Sequence, residues 1–176
     1  MAGRLILWDI DGTLTRGGRH AVEVFHDALR ASFDLSHVPA RFNTSGMTDS
    51  QIALRLLASV DVAEADALAR IDAFRDRYAA ELERTRERLV GDLVMLPGVP
   101  ETLAAVAARG HVQSLLTGNY EPTARIKLAC VGVDHWLDFE VGPTGARSPR
   151  TLSLSVAEAK RCETHPSPYT EAGWSR

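Results

Sequence analysis

The chain has 176 residues, 45% of them hydrophobic and 24% charged, which fits one globular domain with a modest insertion and excludes a disordered or fibrous chain. Twenty Lys and Arg against 23 Asp and Glu give a net charge of −3, so the basic excess of a phosphate-neutralising nucleic-acid binder is lacking and no nucleic-acid partner is expected. The two cysteines, Cys130 and Cys162, form no CxxC pair, and the first apolar run is too short for a signal segment or a membrane span; the expectation is a cytoplasmic protein with reduced thiols and no membrane partner.

Arg4-Leu-Ile-Leu-Trp8 is short, apolar on both faces and followed by a turn containing Gly12, the pattern of a strand buried in a parallel sheet. About 75 residues of helical pattern follow. Val22, Phe25, Leu29 and Phe33 recur at helical spacing, as do Ile52, Leu56, Leu57 and Val60, and Thr48-Asp49-Ser50-Gln51 forms a capping box at the start of the second helix. A third helix is expected over 66–89, with Leu68, Ile71, Phe74, Tyr78 and Leu82 on one side and interleaved arginines and acids on a solvated face. Pro100 then opens a short helix that Gly110 ends. Residues 111–117 read as a second buried strand, Glu121-Pro122 opens a helix stopped by Gly132, and residues 137–141 read as a third, shorter strand.

Strands alternating with helices of this length predict an α/β fold: a Rossmann-like parallel sheet with an inserted α-helical cap. Residues 1–15 and 93–142 make the core, 16–92 the cap and 143–176 an irregular tail, in which 15 of 34 residues are Ser, Thr, Pro or Gly. Only residues 152–160 suggest a weak helix there. With no fourth strand legible, the strand that should be central keeps an open edge, a route to self-association.

Asp9 and Asp11 stand two apart at the carboxyl end of a buried strand, which turns both side chains into the crevice where open α/β sheets bind ligands. Two carboxylates there call for a cation, and Mg²⁺ is suited because it is held by one or two carboxylates together with substrate phosphate. Gly12 permits a sharp turn, and its N–H and that of Thr13 are candidates to face an anion. Thr117, Gly118 and Asn119 offer a hydroxyl and amides at the end of the second strand. The combination suggests phosphate recognition, with Asp9 as a nucleophile toward phosphorus and Asp11 as proton donor and then base.

At these residues the sequence resembles the haloacid dehalogenase superfamily in its phosphatase branch, the group that includes phosphoglycolate phosphatase and β-phosphoglucomutase. Residues 5–15 are similar to its first motif and Leu115-Leu-Thr117-Gly-Asn119 to its second, and the helical insert lies where the family places a small cap. The resemblance implies that Asp9 is the nucleophile, Asp11 the acid/base and Thr117 a phosphate ligand. Gly46-Met47-Thr48-Asp49 resembles the loop such caps lower over substrate, and Met47 stands where many relatives carry Arg, a departure that tells against a direct cationic contact from the cap.

For the family's third motif, a cation balancing nucleophile and phosphate, Arg150 is the first candidate and Lys160 the second. Lys127, expected to snorkel from the middle of a helix, is a third. The fourth motif, further carboxylates for Mg²⁺, is not legible; Glu158, Glu163 and Glu171 follow no strand-like run, and the tail has the composition of a truncated or frame-shifted end. The expected function is therefore a Mg²⁺-dependent phosphomonoester hydrolase acting on a small phosphorylated metabolite, impaired by loss of the fourth motif. The alternatives are a non-catalytic relative that keeps only a phosphate-binding pocket and, less favoured, a phosphomutase.

Overall fold

The structure, a computed structural model, describes residues 4–39, 43–44 and 46–141. The expected tail, including Arg150, Lys160 and the weak helix over 152–160, lies outside the described residues. Strand β1 (Leu5–Trp8) pairs in parallel with β4 (Val112–Leu115), Leu5 beside Val112 and Trp8 beside Leu115. Between them run β2 (Thr15–Gly17), the helices α1 (Arg19–Phe33), α2 (Asp49–Ala58), α3 (Glu64–Arg84) and α4 (Arg86–Asp92), strand β3 (Leu93–Met95) and helix α5 (Val99–Ala108). Helix α6 (Glu121–Cys130) follows β4.

The helical insert leaves and returns through an antiparallel ribbon that the sequence did not disclose: β2 pairs with β3, Thr15 beside Met95 and Gly17 beside Leu93. Three-residue strands are too short to show a two-residue alternation. Gly17 has a local signature nonetheless, because its φ is +99° and a Cβ there would stand 2.3 Å from the Asp92 carbonyl oxygen. Any larger residue would push the two ends of the insert apart.

Within the insert the sequence pattern holds with three corrections. The capping box of α2 is present, Thr48 Oγ1 accepting from Gln51 N–H and Gln51 Oε1 from Thr48 N–H. The long third helix breaks at Thr85, whose hydroxyl donates to the Glu81 carbonyl at 2.8 Å; this back-bond competes with the helical ladder, and α4 starts afresh after it. The buried stripe of α3 runs through Ala67, Ile71, Phe74, Tyr78 and Leu82, leaving Leu68 exposed. On α1 it is Ala21, Val24, Phe25, Ala28 and Leu29 that are buried, whereas Val22 is open. Phe25 meets the ring edges of Phe74 and Tyr78 at centroid distances of 5.0 and 5.2 Å, contacts of about 0.5–1.5 kcal/mol each beyond the area they bury.

A second cluster gathers Ile10, Leu14, Val99, Leu103, Leu115, Ala124 and Leu128 around the β1–β4 pair, with Trp8, Trp136 and Phe139 partly buried against it. Tyr120, in the loop before α6, belongs to the insert's cluster instead and joins the two.

The third strand expected over 137–141 does not form among the described residues. Asp134–Trp136 make one 3₁₀ turn, and a single backbone bond, Asp138 N–H to the Gln113 carbonyl at 2.7 Å, lies beside β4. The Asp138 carboxylate accepts from Glu140 N–H at 2.9 Å, and this local bond closes a turn where the ladder would have continued. No helix of the described residues is long and apolar enough to cross a membrane.

Candidate active site

Ile10 and Leu14 are fully buried, and their anchoring shapes the turn after β1. The Thr13, Leu14 and Thr15 N–H groups converge on the Ile10 carbonyl at 3.2, 2.9 and 2.9 Å, and Gly12 N–H donates to the Thr15 carbonyl at 2.7 Å. Alternation about buried Ile10 puts Asp9 and Asp11 on the same exposed side, as the spacing predicts. The amides of Gly12 and Thr13 are a correction: both are taken up inside the turn, and neither residue lines the cavity described next. The φ of +88° at Gly12 serves the turn itself.

A cavity of about 790 Å³ opens between the end of the β1–β4 pair and the insert. Asp9, Asp11, Thr117, Gly118 and Asn119 line it together, and so does Lys127. Asp9 Oδ1 accepts from Ile10 N–H at 2.8 Å, which fixes one carboxylate oxygen and leaves the other for chemistry. Thr117 Oγ1 accepts from Asn119 Nδ2 at 2.9 Å and from Asn119 N–H at 3.3 Å; with its oxygen so occupied, the hydroxyl proton is left to donate. Asn119 is the hub of the group, since its Nδ2 also donates to Asp11 Oδ2 at 2.7 Å while its Oδ1 accepts from Lys127 Nζ at 2.5 Å.

Lys127 does not snorkel. Its ammonium is buried and lies 3.2 Å from both oxygens of Asp11, a cation delivered to that carboxylate from α6's buried stripe. Of the three cations weighed from sequence, it is the one the described residues bring to the site.

The insert closes the cavity from the other side. A Cβ on Gly118 would stand 2.7 Å from the Met47 carbonyl oxygen and 3.1 Å from Thr48 Cα, so only glycine lets the two segments meet this closely. Asp49 clasps the contact: its N–H donates to the Gly118 carbonyl at 2.8 Å, its carboxylate accepts from Tyr120 N–H at 2.9 Å, and the neighbouring Ser50 hydroxyl donates to Tyr120 OH at 3.0 Å. Burial pushes the Asp49 carboxyl up from 3.8 to about 6, against the pull of Lys127 and the Tyr120 N–H, with nearby Asp11 adding to the rise. In the sequence Asp49 stands out as the first residue of a capped helix and as the end of the stretch that resembles a cap loop, and its clasp on the loop after β4 is what the fold adds.

A model of the haloacid dehalogenase-like hydrolase family matches residues 6–164. The chain belongs to the haloacid dehalogenase-like hydrolases. Solved structures share this family fold: a predicted phosphatase from Clostridium acetobutylicum is 17% identical, with 92% of this chain and 71% of that one covered at a TM-score of 0.55. CbbY from Rhodobacter sphaeroides, solved in complex with phosphate, is 17% identical over 89% of this chain and 72% of its own, at a TM-score of 0.54. A predicted phosphoglycolate phosphatase from Haemophilus somnus is 18% identical over 91% and 73%, at 0.50. No curated protein matches the sequence. In this haloacid dehalogenase-like hydrolase the first two motifs expected from sequence meet at the mouth of one cavity, and Lys127 meets them there.

Proposed function

We infer that this chain is a Mg²⁺-dependent phosphomonoester hydrolase of a small phosphorylated metabolite, with residues 16–92 as a cap over the site. The observation that carries the reading is the network Thr117–Asn119–Asp11–Lys127 beside the free oxygen of Asp9. Asp9 and Asp11 are exposed hard oxygen donors on one cavity, the donor type Mg²⁺ takes, and they are the residues that would hold it. Bound there, the ion would neutralise the phosphoryl oxygens as phosphorus is attacked.

The chain's own residues supply the rest. An Asp9 oxygen forms a bond to phosphorus as the ester oxygen leaves, and Asp11 gives that oxygen a proton. Water then attacks the aspartyl-phosphate, its proton passing to Asp11, and Asp9 and inorganic phosphate are released. Asn119 and Lys127 hold Asp11 in place through both steps, while Thr117 donates to a phosphoryl oxygen.

The second reading is a pocket that binds phosphate without turning it over. Hydrolysis of an aryl phosphate with and without Mg²⁺ separates the two. Turnover that needs the ion and disappears in Asp9→Asn supports the hydrolase; phosphate binding with no turnover supports the pocket alone. Turnover that survives Asp9→Asn, or excess chelator, would remove Asp9 or Mg²⁺ from the mechanism.

A further inference from the structure

The cavity carries apolar lining as well as the carboxylates. Leu116, one residue before Thr117, is 48% exposed, and Val22, in the first turn of α1, is 56% exposed; both are large apolar side chains that the fold leaves open, and both line this cavity. Phe25 from α1 and the half-buried Ile52 from α2 line the cavity too. Apolar surface held open inside a concave site is surface that an apolar ligand group can cover.

The charges point the same way. Among the described lining residues Asp9, Asp11 and Asp49 are acids, and Lys127 is the only Lys or Arg. The Lys127 ammonium is already engaged by Asp11 and Asn119. His26 lines the cavity too, but burial and then the neighbouring Arg30 hold its pKa below the ordinary value, partly offset by Asp27, so at neutral pH it brings no full positive charge. A carboxylate or second phosphate on the organic part of a substrate would be set down among these acids, and among the described lining residues no uncommitted Lys or Arg meets it.

We propose that the substrate's organic group is uncharged and apolar, seated against Val22, Phe25, Ile52 and Leu116, and that the cavity rejects phosphomonoesters whose organic part carries a carboxylate. The proposal deepens the phosphatase reading and rests on it.

The test measures binding, which needs no turnover. The full chain with Mg²⁺ is titrated calorimetrically with methylphosphonate, benzylphosphonate and phosphonoacetate, three non-hydrolysable anions that share the phosphoryl end. Benzylphosphonate is expected to bind ~10-fold or more tightly than the other two, the gain of covering one aromatic ring with apolar wall. Val22→Lys, a change at an exposed position, should lower that preference and strengthen phosphonoacetate. Methylphosphonate binding without a gain for benzylphosphonate, or phosphonoacetate binding as tightly as benzylphosphonate, overturns this inference and leaves the phosphatase reading standing. Failure of all three to bind overturns both.

Discussion

Lys127 Nζ sits 3.2 Å from each carboxylate oxygen of Asp11, a residue 116 positions earlier in the chain. The pair spans the two halves of the site, since Asp11 comes from the turn after β1 and Lys127 from the helix after β4. Asn119 bridges them from a third direction. Two side chains, Lys127 and Asn119, therefore fix the Asp11 carboxylate, and Asp9 beside it keeps one oxygen uncommitted.

Lys127→Met should lower kcat/KM for an aryl phosphate by ~10²–10³, the usual cost of removing one preorganised group that stabilises developing charge. Lys127→Arg should recover part of that loss, which a merely structural role would not allow. Stability should fall by only about 1 kcal/mol or less from the lost ion pair, because Asp11 is 52% exposed and water can replace its partner. Wild-type turnover in Lys127→Met, measured alongside its urea midpoint, would take Lys127 out of the mechanism.

The placement of Asp9 and Asp11 was legible in sequence because a buried strand ending in Asp-x-Asp has one physical outcome: the alternation about Ile10 forces both carboxylates outward. Lys127 carried a readable signal too. It shares the buried stripe of α6 with Thr123, Ala124 and Leu128, and a lysine on the inner stripe of a short helix needs an anionic partner. The ribbon of β2 and β3 left no periodic trace at three residues a strand, and the expected strand over 137–141 lost to the Asp138 turn. Asp49 and Gly118 were opaque for another reason: their importance lies in a contact between segments 69 residues apart, which local pattern does not encode.

Asp49 gives the fold a pH signature. Its folded carboxyl titrates near 6 and its ordinary value is 3.8, so between those values the folded state holds a proton that the unfolded chain has released. Stability from this group is thus full below about pH 4 and declines as pH rises through 6. Asp49→Asn keeps an oxygen to accept from Tyr120 N–H and removes the charge. Its melting temperature relative to wild type should rise from pH 4 to pH 7. A difference that stays flat or falls over that range would show that the clasp does not bury a charge.

Gly118→Ala should loosen the contact between the insert and the core. The added Cβ meets backbone, at 2.7 Å from the Met47 carbonyl oxygen, and backbone cannot rotate away as a side-chain tip would. The start of α2 must retreat, at a cost of ~1–3 kcal/mol, and the bond from Asp49 N–H to Gly118 goes with it. We expect a lower melting temperature and a raised KM with kcat less affected, because the insert's side of the cavity moves and the carboxylates do not. An unchanged KM would mean that this contact does not shape the substrate end of the site.

The edge of β1 that faces away from β4 leads to a prediction about assembly. The Arg4 and Trp8 carbonyls accept from Val112 and Leu116 N–H at 2.9 and 2.8 Å, so the two-residue alternation turns the N–H and C=O groups of Leu5 and Leu7 toward the opposite edge. Among the described residues no strand lies along that edge, and all four residues of β1 are only half-buried. Unpaired strand groups recruit another strand, and a second copy of the chain offers an identical one. The protein should therefore associate as its concentration rises in sedimentation velocity, and amide exchange at Leu5 and Leu7 should slow in step. Exchange at Ile6 would change less, because its groups turn toward β4 by the same alternation. A species that stays monomeric throughout, or association that leaves the Leu5 and Leu7 amides untouched, would rule out β1 as the joining edge.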